Sequence, residues 1–212
     1  MELNTLKKEL LETQTTMIPP MGLENIEDVL RLAHSNQIRG DFVETGVWRG
    51  GASIYARAVM NELGMAGKVY ACDSFVGLPT PDHIKYPSDD GDGHYQIENL
   101  RVSKETVEDN FKKYGMRDNV EFIEGWFKDT MPVLKEKIKS IAVLRLDGDM
   151  YESTINVLDN LYDLVPIGGY IIVDDYCIRG CRDAINHFFE SRKINPMSLL
   201  RIDQCIHYFR KC

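Results

Sequence analysis

Two short acidic segments, Asp147-Gly148-Asp149 and Asp174-Asp175, each follow an apolar run, Ile141 to Leu146 and Gly169 to Val173. Such runs read as strands buried on both faces, and parallel strands present their carboxyl ends to one crevice. Carboxylates gathered there repel one another unless a cation lies between them. An all-oxygen ligand set favours Mg²⁺, Mn²⁺ or Ca²⁺ over zinc or copper. Taken separately, Asp149 also reads as a helix N-cap and Asp175 as a helix-start acid. Those roles do not account for Asp147 and Asp174 together.

A second constellation is Glu44-Thr45-Gly46-Val47-Trp48-Arg49-Gly50-Gly51, a strand end passing through a glycine-rich turn into a helix. Glycines at such a turn let the backbone approach a ligand, and the first turn of a doubly wound sheet is where nucleotides bind. The spacing matches neither the dinucleotide fingerprint nor a phosphate loop ending in GKS or GKT, so a tight turn without a ligand stays open. Asp73 ends the next strand, where an acid can accept hydrogen bonds from both hydroxyls of a ribose; capping its own loop is the alternative. Trp126 and Phe127, after Gly125, fit either the core or the faces of an adenine ring.

Other chemistries find little support. The five histidines form no HxH or HExxH spacing, although His94 lies in a polar loop within reach of the crevice. Ser53 and Ser153 lack the GxSxG elbow of a nucleophilic serine. No lysine follows the fifth strand, as a phosphoryl-transfer or response-regulator domain would require.

These residues must be positioned by a framework, and the hydropathy pattern supplies one. Ile26, Val29, Leu30 and Ala33 mark a helix over Asn25 to His34. Strands are predicted at Asp41–Glu44, Lys68–Cys72, Val120–Glu124, Ile141–Leu146 and Gly169–Val173. Helices are predicted at Ala52–Leu63, Ser103–Tyr114, Ser153–Leu164 and Cys181–Ser191. This alternation implies βαβ units, hence an α/β fold with a mostly parallel sheet and helices on both faces. Leu199–Arg201 and Cys205–Arg210 read as an antiparallel edge hairpin. Lys7 to Thr15 shows little apolar face, so residues 1–24 are expected to form an arm or lid ahead of a single domain over 25–212. The stretch 79–100 has no clear period and reads as a functional or disordered loop.

The chain has 212 residues, 43% of them hydrophobic, enough for one core. Its net charge of −8 and lack of a basic stripe argue against a nucleic-acid partner. No apolar run approaches the ~20 residues of a membrane span, and Met1-Glu2-Leu3-Asn4 lacks a signal-peptide layout, so a cytoplasmic protein is expected. Five cysteines without a CxxC pair read as free thiols.

The chain resembles the macrocin O-methyltransferase family of sugar O-methyltransferases. The resemblance rests on Gly40–Gly51 (GDFVETGVWRGG), Asp73–Pro79 (DSFVGLP), Gly125–Thr130 (GWFKDT), Leu144–Thr154 (LRLDGDMYEST) and Gly168–Tyr176 (GGYIIVDDY). It implies a Rossmann-like class I methyltransferase with a seven-stranded sheet, S-adenosylmethionine as donor, and one Mg²⁺ or Mn²⁺. Carried over by position, Asp147, Asp174 and Asp175 correspond to the metal ligands, with Asp147 also the general base. Glu44, Gly46, Trp48 and Gly50 would line the methionine end of the cofactor, Asp73 would hold its ribose, and Trp126 and Phe127 would bound its adenine. Thr45, Ser53, Ser74, Gly125 and Asp147 complete the expected cofactor contacts. Lys85 to His94 resembles the family's acceptor-side loop, and the implied acceptor is a small-molecule or glycan hydroxyl, with a 6-deoxyhexose such as rhamnose preferred. Homodimers and association or fusion with a glycosyltransferase are compatible with it. Related catechol O-methyltransferases carry a lysine three residues after the first metal aspartate, where this chain has Met150. Catecholic or phenolic acceptors and a non-catalytic nucleoside-binding protein are the alternatives.

Overall fold

A computed structural model describes all 212 residues. In chain order the elements are α1 (Leu3–Glu12), α2 (Pro20–Ser35), β1 (Asp41–Thr45), α3 (Gly51–Glu62), β2 (Val69–Asp73), α4 (Lys104–Lys113), β3 (Val120–Glu124), α5 (Phe127–Lys135), β4 (Ile141–Leu146), α6 (Tyr151–Leu161), β5 (Tyr170–Val173), α7 (Arg179–Arg192), β6 (Leu200–Arg201) and β7 (His207–Arg210). The strands form one seven-stranded sheet in the order β3-β2-β1-β4-β5-β7-β6. The first five are parallel; β7 runs antiparallel to β5, and β6 to β7. The expected α/β sheet with an antiparallel C-terminal edge is what forms.

Register decides where the chemistry falls. Thr45 pairs with Cys72 on one side and Leu146 on the other, and Leu146 pairs with Val173. The next residues, Gly46, Asp73, Asp147 and Asp174, therefore share one row at the carboxyl edge. The chain builds outward from β1 through β2 to β3 and then crosses to β4 and β5, so the row spans the topological switch point where open α/β sheets bind ligands.

One face of the sheet packs against α1 to α4, through residues such as Leu6, Leu23, Ile54 and Phe111. The other packs against α5, α6 and α7, through Met131, Leu158 and Phe188. No helix is long and apolar enough to cross a membrane. The N-terminal segment departs from the expectation of a weak helix with little apolar face. Its helix starts four residues earlier and buries Leu3, Leu6 and Leu10, spaced i, i+3, i+7. Only Leu6 and Leu10 fell in or beside the window first read as polar. The following turn is pressed against the start of α3, where Gly51 N–H donates to the Thr15 carbonyl. Helix α2 begins at Pro20, a residue pre-set for the first helical position, rather than at Asn25.

The 79–100 loop is not structureless. It contains three short 3-10 turns, at Pro87–Asp89, His94–Gln96 and Glu98–Leu100. Helix α6 has Met150 at its N-cap and no side-chain cap of its own. Asp89 from the loop supplies one: its carboxylate accepts from Tyr151 N (2.6 Å) and Glu152 N (3.1 Å) and is almost fully buried. A carboxylate facing free N–H groups at the positive end of a helix is stabilising. Gly180 opposite it is required, because a Cβ there would lie 2.3 Å from Asp89 Oδ1.

The expectation of five free thiols is corrected. Cys177 and Cys205 form a disulfide, and Cys72, Cys181 and Cys212 remain free. Spacing along the chain hides this pair, which is 28 residues apart. It is the antiparallel match of Val173 with His207 that brings the loop after β5 beside the turn before β7.

Thiol titration of the denatured, unreduced protein should find the three free cysteines, and all five only after reduction; five at the outset would remove the bridge. Reduction should lower stability by about 3–4 kcal/mol on a chain-entropy account of the closed loop. Asp89→Ala should cost about 1–2 kcal/mol in urea unfolding, and an unchanged midpoint would show that the loop does not cap α6.

Candidate functional site

A cavity of about 760 Å³ opens at the carboxyl edge of the sheet between β1, β2 and β4. Of the residues expected at a cofactor site, Gly46, Trp48, Asp73, Ser74, Gly125, Trp126, Phe127 and Asp147 line it. Gly46 sits at φ 95°, and a Cβ there would meet the Asp147 carbonyl oxygen at 1.6 Å, so only glycine lets the turns after β1 and β4 close on each other. Asp73 Oδ2 accepts from Val47 N (2.7 Å) and Trp48 N (3.4 Å), and Oδ1 accepts from Phe75 N (2.8 Å). It therefore organises the glycine-rich turn from a position on the cavity wall. Burial pushes its carboxyl above the usual range, and these three N–H groups work against that rise.

Four expected contacts stand elsewhere. Glu44 faces a smaller adjoining cavity of about 240 Å³, walled by Thr15, Thr16, Met17, Arg145 and Asp147 among others. Ser53 lies behind it, fully buried, donating to Glu44 Oε2 at 2.5 Å. Thr45 is buried and donates to the Arg145 carbonyl. Gly50, at φ 89°, leads into α3 with Phe111 and Val107 around it and touches neither cavity.

Asp147, Asp174 and Asp175 converge as expected, and oxygen atoms of the three lie within 4.8 Å of one another. Asp149 joins them: it adopts φ 58°, and its N–H donates to Asp175 Oδ2 at 3.0 Å. It is therefore not the N-cap of α6, and Asp175, four residues ahead of α7, is not a helix-start acid. His94 reaches the same region. It is held by Asp92 at 3.0 Å. Trp126 precedes α5, a helix missing from the hydropathy reading because Pro132 lies inside it.

Arg145 is the functional residue that pattern reading passed over. It is 1% exposed, and its Nη1 contacts Glu44 Oε1 (2.5 Å) and Asp147 Oδ2 (2.6 Å), while Nη2 lies 2.6 Å from Asp174 Oδ1. The signal was an arginine inside the apolar run IAVLRL, since a charge on a strand buried on both faces needs acids close by.

Glu44, Asp147 and Asp174 thus surround one guanidinium, and Asp149 and Asp175 stand beside Asp147 and Asp174. Burial raises Glu44 to about 7, and Arg145 and Ser53 hold it down. Burial likewise raises Asp174 to about 7, opposed by Arg145, and Asp149 to about 7, reinforced by Asp147. Asp175 is driven well above the ordinary range by burial and by Asp149, Asp147 and Asp174. An excess of buried carboxylates over cations and an all-oxygen donor set suit a hard divalent ion such as Mg²⁺ or Mn²⁺.

The chain matches the family described as Macrocin-O-methyltransferase (TylF) over residues 7–211. It is 38% identical over 201 residues to the mycinamicin III 3''-O-methyltransferase of Micromonospora griseorubida, covering 92% of this chain and 78% of the relative. It is 42% identical over 176 residues to the 8-demethyl-8-(2,3-dimethoxy-alpha-L-rhamnosyl)-tetracenomycin-C 4'-O-methyltransferase of Streptomyces olivaceus, covering 82% and 67%. The solved structure of the O-methyltransferase NovP superposes with a TM-score of 0.87 at 41% identity, covering 92% of this chain and 81% of that one.

The carboxylates near 7 set the sign of a pH effect. Their unfolded values lie near 4, so their contribution is complete at about pH 4 and is lost as pH rises through about 7. In EDTA, the melting temperature should fall between about pH 5.5 and 8, and added Mn²⁺ should restore more of it at the upper end. A flat metal-free profile would exclude the buried acid cluster.

Proposed function

Because the chain belongs to the macrocin O-methyltransferase family, we propose that it transfers the methyl group of S-adenosylmethionine to a sugar hydroxyl at a divalent-metal site formed by Asp147, Asp174 and Asp175. The observation that carries this reading is the convergence of those three acids beside the same cavity that the glycine-rich turn and Asp73 line. A nucleoside-binding protein without chemistry has no use for such a cluster.

Gly46 to Trp48 and the wall from Thr15 to Met17 receive the methionine end, Asp73 the ribose, and Trp126 with Phe127 the adenine. Glu44 acts from behind, since Ser53 and Arg145 occupy both its oxygens. Asp147, Asp174 and Asp175 would hold a Mg²⁺ or Mn²⁺, which would supply Lewis acidity that makes a sugar hydroxyl easier to deprotonate. Asp147 accepts the hydroxyl proton as the oxygen–methyl bond forms and the sulfur–methyl bond breaks, leaving S-adenosylhomocysteine. Its Oδ2 is engaged by Arg145, so the lone pairs of Oδ1 serve both the cation and the proton. Holding donor and acceptor in line, with water kept out by the 79–100 loop and the N-terminal segment, contributes much of the rate.

A 6-deoxyhexose such as rhamnose is the preferred acceptor, in keeping with the rhamnosyl group named for the Streptomyces olivaceus relative. Met150 is fully buried at the N-cap of α6, so a lysine base of the catechol type has no counterpart at that position.

Methyl transfer from labelled S-adenosylmethionine should proceed on rhamnosides and other deoxysugar glycosides and stop in EDTA. Asp147→Ala should lower it by at least about 100-fold while calorimetry still detects S-adenosylhomocysteine binding. Near-normal turnover in that variant would dismiss Asp147 as the base, and activity confined to catechols would replace the acceptor.

A further inference from the structure

We propose that Arg145 is a positioning residue of the metal site, holding one oxygen of Asp147 and one of Asp174 so that the other oxygen of each is presented to the cation. This rests on the metal-assisted reading above.

Arg145 occupies the middle of the carboxyl half of β4, between β1 and β5, and its register partners are Glu44 and Ile172. Its backbone is therefore set by two ladders. Its side chain is set by Glu44, which Ser53 holds in turn. From that fixed base the guanidinium reaches Asp147 Oδ2 with Nη1 and Asp174 Oδ1 with Nη2. A guanidinium is planar and rigid, so the separation of its two terminal nitrogens sets the separation of the two acids; an ammonium on a flexible stem cannot do this. The contact with Asp147 is a hydrogen bond. The contact with Asp174 is an ion pair at 2.6 Å without hydrogen-bond alignment. The buried chain Ser53, Glu44, Arg145 thus ends on two of the three acids and reaches no solvent, the arrangement expected of groups that orient ligands from behind.

Charge alone predicts the opposite of positioning. A cation near a metal site repels the metal, so its loss would tighten binding; loss of an orienting partner loosens it, typically about 10–100-fold. Arg145→Lys keeps the charge and removes the fork, which separates the two effects.

The test is titration of Mn²⁺ into wild type and Arg145→Lys, followed by the resonance signal of the free ion and by calorimetry, with S-adenosylhomocysteine binding measured alongside. Positioning requires Mn²⁺ affinity to fall about 10–100-fold in the variant, S-adenosylhomocysteine binding to persist, and transfer to recover at high Mn²⁺. Wild-type or tighter Mn²⁺ binding by the variant overturns the proposal, as does equal loss of both ligands. If Arg145→Lys does not fold, Ser53→Ala decides: it frees Glu44 without touching either acid, so Mn²⁺ binding must weaken, and unchanged affinity overturns the proposal. Absence of Mn²⁺ binding by wild type removes the metal reading itself, and the proposal with it.

Discussion

A guanidinium cannot be buried in the middle of a parallel sheet without anions to receive it, and Arg145 is buried there at 1% exposure. Its needs account for much of the surrounding arrangement. Glu44 turns inward from β1 to meet it, Ser53 fixes Glu44 from the start of α3, and Asp147 and Asp174 lean on it from the two strand ends. The same acids need Arg145, because carboxylates that close and that dry would otherwise take up protons. Removing either side leaves a buried uncompensated charge, which is the costly direction for such pairs.

Much of the site was legible because strand ends are legible. Asp73, Asp147 and Asp174 each follow an apolar run, and runs of parallel strands place their next residues in one row. What was not legible depends on which way a side chain turns and on contacts between distant segments. Glu44 and Ser53 are neighbours of the cofactor motif in sequence, yet Glu44 faces Arg145, 101 positions away, and Ser53 faces Glu44. The apolar stripe of α1 begins at Leu3, and both Leu3 and Leu6 lie ahead of the polar stretch from Lys7 to Thr15. The Cys177–Cys205 bridge follows from strand pairing rather than spacing, and the cap of α6 comes from Asp89, 62 residues before the N–H it serves.

The fold also explains why this chain differs from its catechol-type relations at one position. Met150 ends the turn after β4 and is drawn into the interior as α6 begins, while Asp149 takes the left-handed conformation that directs its N–H to Asp175. With that geometry the turn offers carboxylates to the cavity and hides the residue that follows them. On the function proposed above, proton transfer then falls to an acid already held in place by the sheet.

Asp89 ties the loop over the cavity to the helix that starts directly beyond the acids. The tie makes the loop a poor candidate for free exchange between family members during evolution. A loop of altered sequence keeps the cap of α6 only if it retains a carboxylate at this point and a glycine stays opposite at position 180. Change in the loop is thereby less costly on its two flanks, 79–88 and 90–100, than at the peg between them.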